Sequence, residues 1–252
     1  MCIIALEWRP GSDCPLTLLA NRDEFYARPA EGVQWWPQGF WAGKDLEAGG
    51  SWLGLSQDGA LAAVTNVRDP AAPRGARSRG ELVTDFLAGG MAVEAYQEGI
   101  RSRRDAYGPF NLLLARGDRL CYYANLEDEV QTLAPGRYGL SNARLNTPWP
   151  KVVRLTDALA RGVDGPLASL AEALADPWQP ADAALPDTGI GWEWERALAP
   201  IFIQSDHYGT RSSTALRLDR AGRFLWLERE YGPEGARRDA AHRGQLTQPL
   251  GR

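Results

Sequence analysis

Histidine and cysteine are scarce in this chain, with 2 and 3 copies among 252 residues. The cysteines, Cys2, Cys14 and Cys121, are too few and too scattered for a disulfide framework, and no CxxC pair offers zinc a ligand set. So sparse and odd a count fits a reducing compartment. Long apolar runs are missing as well, and without a stretch of about 18 such residues no membrane-spanning helix is expected. The apolar segment from Cys2 to Leu6 is too short for the core of a signal peptide and lacks a basic flank. The chain therefore reads as soluble and cytoplasmic. Nor is there a basic excess: 28 basic against 32 acidic residues leave a net charge of −4, which argues against a phosphate-gripping nucleic-acid binder.

What is present suits a packed domain. Hydrophobic residues make up 44% and charged residues 24%, enough to bury a core without metals. Residues 2–8 (CIIALEW) and 16–20 (LTLLA) read as buried strands, the second running into Asn21-Arg22-Asp23-Glu24. Hairpins are expected at 51–56/60–66 around Asp58-Gly59, at 110–116/119–124 around Gly117-Asp118, and at 213–218/223–230 around Ala221-Gly222. Helices are expected after Ser78 and Glu81 (spaced as a capping box), over 150–161 and over 167–174. Residues 176–192 read as a surface connection. Hairpin strands with helices between them predict an α+β layered fold of antiparallel sheets. One domain is expected over residues 1–232, followed by a poorly ordered tail over 233–252.

Cys2 carries the most chemical information. Removal of Met1 would place a thiol and an α-amine on one residue. An α-amine titrates near pH 8, so it can act as the base for its own thiol. A small buried strand residue is the plain alternative. The cluster Asn21 to Glu24 could supply a carboxylate, Asp23, to hold the amine, and a cation, Arg22, to orient that carboxylate or meet an anion. It could equally be a charged turn. Asn66 and Asn142 end apolar segments, where an amide can serve an oxyanion or start a turn. Arg211 opens another strand and points either toward the same pocket or into solvent.

Taken together, Met1-Cys2, Asn21 to Glu24, Val64-Thr65-Asn66, Gly139-Leu140-Ser141-Asn142 and Tyr208-Gly209-Thr210-Arg211 resemble the NRDE family. That family is named for the tetrapeptide and includes the transport and Golgi organisation protein 2 group. The resemblance spans about residues 2–231. More widely, the chain is similar to cysteine N-terminal-nucleophile (Ntn) hydrolases such as bile salt hydrolases and penicillin V acylases. That similarity implies a four-layer αββα sandwich of two antiparallel sheets, and hydrolysis of a non-peptide amide through an acyl-cysteine. It matches Cys2 to the nucleophile, Asp23 to the carboxylate beside the terminal amine, and Asn66 and Asn142 to the pocket asparagines. Arg211 is a looser match to a C-terminal arginine. One departure stands out: those hydrolases carry an arginine three residues before the aspartate, where this chain has Ala20, and its own arginine is the adjacent Arg22.

The NRDE resemblance also implies links to haem trafficking and to lipid or acyl-CoA homeostasis. Trp35, Trp36, Trp41 and Trp52 could line a cleft for a flat or acyl ligand or simply pack the core. Arg68, Arg74, Arg77 and Arg79 could meet propionates or phosphates or sit in a solvated loop. No cofactor is required; haem is a candidate ligand, with His207 or a cysteine as its iron donor. Three readings follow: an Ntn amidase or acyltransferase working through Cys2, a non-catalytic carrier for haem or acyl-CoA in the same pocket, and a surface scaffold.

Overall fold

The computed structural model describes residues 2–251. Among the described residues, thirteen strands form two wholly antiparallel sheets. The six-stranded sheet runs β10 (Gly136–Leu140), β1 (Cys2–Trp8), β2 (Leu16–Phe25), β11 (Tyr208–Leu218), β12 (Arg223–Gly232), β13 (Gly235–Gln245). The seven-stranded sheet keeps chain order: β3 (Ala30–Trp36), β4 (Phe40–Asp45), β5 (Leu53–Ser56), β6 (Leu61–Asn66), β7 (Phe110–Arg116), β8 (Arg119–Ala124), β9 (Glu129–Thr132).

Alternation along the strands explains the layers. In β1, Ile4, Leu6 and Trp8 join Leu16 and Leu18 of β2 and Leu53, Leu61 and Leu113 of the other sheet in a core between the sheets. Ile3, Ala5 and Leu19 point the other way, onto α3 (Pro150–Gly162) and α4 (Leu167–Ala171). Because both faces are covered, β1 reads as a continuous apolar run rather than an alternating one. On the far side, α1 (Gly80–Gly89) and α2 (Val93–Arg101) pack Leu82, Phe86, Tyr96 and Ile100 against Phe110, Leu112 and Leu114. The result is the expected four-layer αββα sandwich. The expected hairpins are there too, with left-handed glycines at all three turns, Gly59 (φ 83°), Gly117 (φ 58°) and Gly222 (φ 84°).

Two local expectations are corrected. Ser78 and Glu81 do not form a capping box. Ser78 Oγ accepts from Gly80 N at 3.3 Å, while Glu81 accepts from the Tyr107 hydroxyl and pairs with Arg77. The segment beyond residue 232 is not a loose tail over most of its length. Residues Gly235–Gln245 form β13, paired with β12 from Arg223↔Gln245 to Gly232↔Gly235, and Leu246 and Leu250 are buried in the central core. Its side chains are mostly exposed and polar, so hydrophobic periodicity misses it. An edge strand is held by its backbone ladder. The expected connection holds a short 3-10 turn (Asp182–Ala184), and α5 (Trp192–Ala197) begins where it ends; neither was expected.

Truncation after Gly232 removes one ladder and two buried leucines, and is expected to lower unfolding free energy by roughly 4 kcal/mol or more. Urea unfolding of full-length and truncated protein checks this; coincident curves would return the segment to the status of a loose tail.

Candidate functional site

The tetrapeptide Asn21 to Glu24 lies inside β2, not in a turn, and this decides where its side chains go. Successive strand residues face opposite sides. Arg22 shares the inter-sheet face with Ala20, and its register partner across the ladder is Cys2. Asn21 takes the helix face, where its amide donates to the carbonyls of Leu174 (2.8 Å) and Ile201 (2.9 Å) and its oxygen accepts from Ser213 (2.6 Å). Asp23, next along on that side, accepts from Thr210 Oγ1 at 2.8 Å. Arg22 thus stands two residues, about 7 Å, along the strand from Ala20 without changing face.

A cavity of about 870 Å³ opens at this end of the sandwich. Its walls include Cys2, Arg22, Asp23, Trp52, Asn66 and Arg79, so it gathers four of the six expected site residues. Arg22 is buried, stacks over the Trp52 ring at 4.3 Å and pairs with Asp45 at 3.1 Å. Burial opposes the charge on Asp45, but the hydrogen bond from Arg28 (2.7 Å) and the two nearby guanidiniums hold its carboxyl below the usual range. Cys2 is anchored through its carbonyl, which accepts from Ser141 Oγ at 3.0 Å. Burial pushes its thiol above the ordinary value, so the group is a thiol at neutral pH and needs a base.

Asn142 is fully buried behind the cavity wall. Its amide donates to the Asn66 carbonyl (3.0 Å) and to Asn66 Oδ1 (3.1 Å), which orients Asn66 at the end of β6. Arg211 lies outside this cavity. Its guanidinium donates to the carbonyls of Phe25 (2.9 Å) and Arg28 (2.8 Å), clamping the chain that leaves β2. Two motif glycines also serve packing. A Cβ on Gly139 would strike Val152 and Thr156 of α3, and one on Gly209 would strike the Tyr26 hydroxyl and the Ile203 carbonyl.

Behind Asp23 lies a set of buried charges that the sequence reading did not foresee. Lys151, in the first turn of α3, is 3% exposed and donates to the Leu198 carbonyl at 3.0 Å. Burial pushes its pKa down to about 8, with the nearby Asp23 charge opposing. Burial pushes the Asp23 carboxyl up, while Lys151 and the Thr210 hydrogen bond pull it back. Arg68, expected in a loop, is buried instead. It stacks on Trp149 at 4.7 Å and pairs at 2.5 Å with the equally buried Glu195, which also accepts from Thr188. A signal for Lys151 was available: it lies one turn before Leu155 on the apolar stripe of its helix.

Of the clustered tryptophans only Trp52 reaches the cavity. Trp41 packs against the central core, Trp36 against the outer one, and Trp35 is exposed. His207 is exposed and outside the cavity walls. Among the described residues, no group of three or more His, Cys, Asp or Glu is placed to hold a metal ion, and no helix is long and apolar enough to cross a membrane.

Motifs scattered from residue 2 to residue 142 thus meet at one end of the sandwich. The family model described as Transport and Golgi organisation 2 matches residues 1–233. The chain belongs to that family. It is 39% identical to the Transport and Golgi organization protein 2 homolog of Bos taurus over 255 residues, 91% of this chain and 92% of that protein. To the Homo sapiens homolog it is 36% identical with the same coverage. To Transport and Golgi organization protein 2 of Drosophila melanogaster it is 23% identical over 242 residues, 84% of this chain and 85% of that protein.

Lys151 offers a pH test of the buried charges. An unfolded lysine titrates near 10.4, so between about pH 8 and about pH 10.4 the unfolded chain binds more protons than the folded one. The cost of burying this cation is therefore full below that window and fades as pH rises through it. Between about pH 7.5 and about pH 9.5 the wild type should gain on the order of 2 kcal/mol relative to Lys151→Met in urea unfolding. A gap that does not change with pH would contradict the burial of this charge.

Proposed function

We propose that the cavity is an acyl-transfer site in which Cys2, made N-terminal by loss of Met1, is the nucleophile. The observation that carries this reading is the meeting of Cys2, Arg22 and Asn66 on one cavity wall, with the buried Asp23 close enough for its charge to bear on the thiol. In this scheme the Cys2 amine takes the thiol proton and the sulfur attacks the carbonyl carbon of an amide or thioester. The Asn66 amide, oriented by Asn142, donates to the developing oxyanion. Collapse breaks the bond to the leaving amine or thiol, which takes the proton from the Cys2 ammonium. Water or an acceptor nucleophile then attacks the acyl-cysteine and loses its proton to the amine, and the thiol is restored. Asp23 holds the ammonium form, and the field of Lys151 keeps Asp23 ionised. No cofactor enters these steps.

A second reading is kept because of the cavity's size. At about 870 Å³ it lies within the range of pockets that enclose a whole small molecule. A carrier for haem or acyl-CoA would use the same walls without turnover, and the family resemblance to haem trafficking and lipid homeostasis favours such ligands.

Incubation with a panel of acyl amides and acyl thioesters, read by product release and by intact mass after acid quench, separates the two. The acyl-transfer reading predicts an acyl adduct on Cys2 and loss of at least about a thousandfold in turnover for Cys2→Ala, as expected when a nucleophile is removed. Turnover that survives in Cys2→Ala would refute it. Saturable ligand binding that is equal in wild type and Cys2→Ala, with no adduct in either, would select the carrier.

A further inference from the structure

Five arginines line the cavity: Arg22, Arg28, Arg74, Arg77 and Arg79. Three of them are neutralised by carboxylates. Arg22 pairs with Asp45 at 3.1 Å, Arg28 with Asp45 at 2.7 Å and Glu47 at 2.9 Å, and Arg77 with Glu81 at 2.5 Å. Arg74 has no such partner among the described residues, but it is exposed and hydrated, which costs little. Arg79 differs from all four. It is half-buried, its one protein hydrogen bond runs from Nη1 to the Pro109 carbonyl at 3.1 Å, and no carboxylate among the described residues reaches ion-pair distance of it. Burial is the dominant influence on its charge, and the groups that favour the charge are Cys2 and Glu24, which places it in electrostatic reach of the thiol.

A half-buried cation without an ion-paired carboxylate carries part of the cost of desolvation. Elsewhere in this cavity the chain has spent three carboxylates to avoid that cost. We propose that Arg79 binds an anionic oxygen group, a carboxylate or phosphate, on the compound handled at Cys2. The proposal rests on the reading of this cavity as the site of Cys2 chemistry and names its ligand class: a small molecule with an acyl carbon at one end and an anionic oxygen group within the cavity's span. Pro109 holds one nitrogen of the guanidinium, so Nε and Nη2 are the fork presented to the anion, the geometry that favours arginine over lysine for carboxylates and phosphates. Arg79 is on this account a specificity residue, which sets what approaches Cys2 without acting on the reacting carbon.

Iodoacetate and iodoacetamide test this directly, since they alkylate thiols alike and differ in a carboxylate against an amide. Rates at Cys2 are read by peptide mapping and normalised to Cys14 in the same sample. The iodoacetate-to-iodoacetamide ratio at Cys2 should fall about tenfold in Arg79→Gln, the equivalent of 1.4 kcal/mol. It should fall less in Arg79→Lys and stay put in Arg161→Gln, a surface control. An unchanged ratio in Arg79→Gln overturns the carboxylate form of the proposal. Inorganic phosphate supplies a readout independent of the thiol: it should raise the melting temperature of the wild type and not that of Arg79→Gln. If Cys2 reacts with neither reagent, the nucleophile reading fails and the phosphate shift alone decides on Arg79. The absence of both a ratio change and an Arg79-dependent phosphate shift refutes the anion site.

Discussion

The ladder between β1 and β2 sets Cys2 opposite Arg22 at the open end of the sandwich, and the remaining site geometry depends on that register. Moving the pairing by one residue would turn Arg22 toward the helices and Asp23 toward the central core. The register is pinned from both sides. Ile4, Leu6 and Trp8 fill the inter-sheet core, while Ile3 and Ala5 fit beneath α3, so neither face tolerates a slip. Ser141 then ties the Cys2 carbonyl to the end of β10, fixing the first described residue of the chain at the cavity wall.

Around that fixed point the chain has buried more charge than a hydrophobic domain needs. Arg68 with Glu195 and Arg22 with Asp45 are ion pairs, and Lys151 lies close enough to Asp23 for each to shift the other. Replacing such pairs with packed apolar groups often costs nothing in stability, so their retention points to a use. At Asp23 the charges of Lys151 and Arg68 favour the carboxylate against the burial that opposes it, which suits the proposed base chemistry.

Much of this was legible in the sequence because motif and periodicity agreed. The apolar run after Cys2, the glycine turns and the helix at 150–161 predicted the layers, and of the six site residues the ordered motifs named, Cys2, Asp23, Arg22 and Asn66 line one cavity, while Asn142 lies behind its wall and Arg211 outside it. What could not be read has physical causes. β13 is ordered by backbone hydrogen bonds that leave little trace in its side chains. The tetrapeptide's four polar residues left a charged turn open as a reading, but in the buried part of β2 Asn21, Arg22 and Asp23 each find a partner on their own side. Arg211 looked like a pocket arginine because it follows Tyr208-Gly209-Thr210; the shift in register between Thr210 and Ser212 accompanies its placement on the carbonyls beyond β2. Arg68 seemed solvated because its partner, Glu195, is 127 residues away in sequence.

The central claim is that Cys2 is an activated nucleophile bearing its own amine. Intact mass of the purified native protein, taken before and after brief exposure to a thiol reagent at neutral pH and followed by peptide mapping, tests it most directly. The account predicts that Met1 is absent and that Cys2 is labelled faster than Cys14 or the buried Cys121. Retention of Met1, or a Cys2 that stays unlabelled while Cys14 reacts, would contradict it and leave the cavity as a binding site alone.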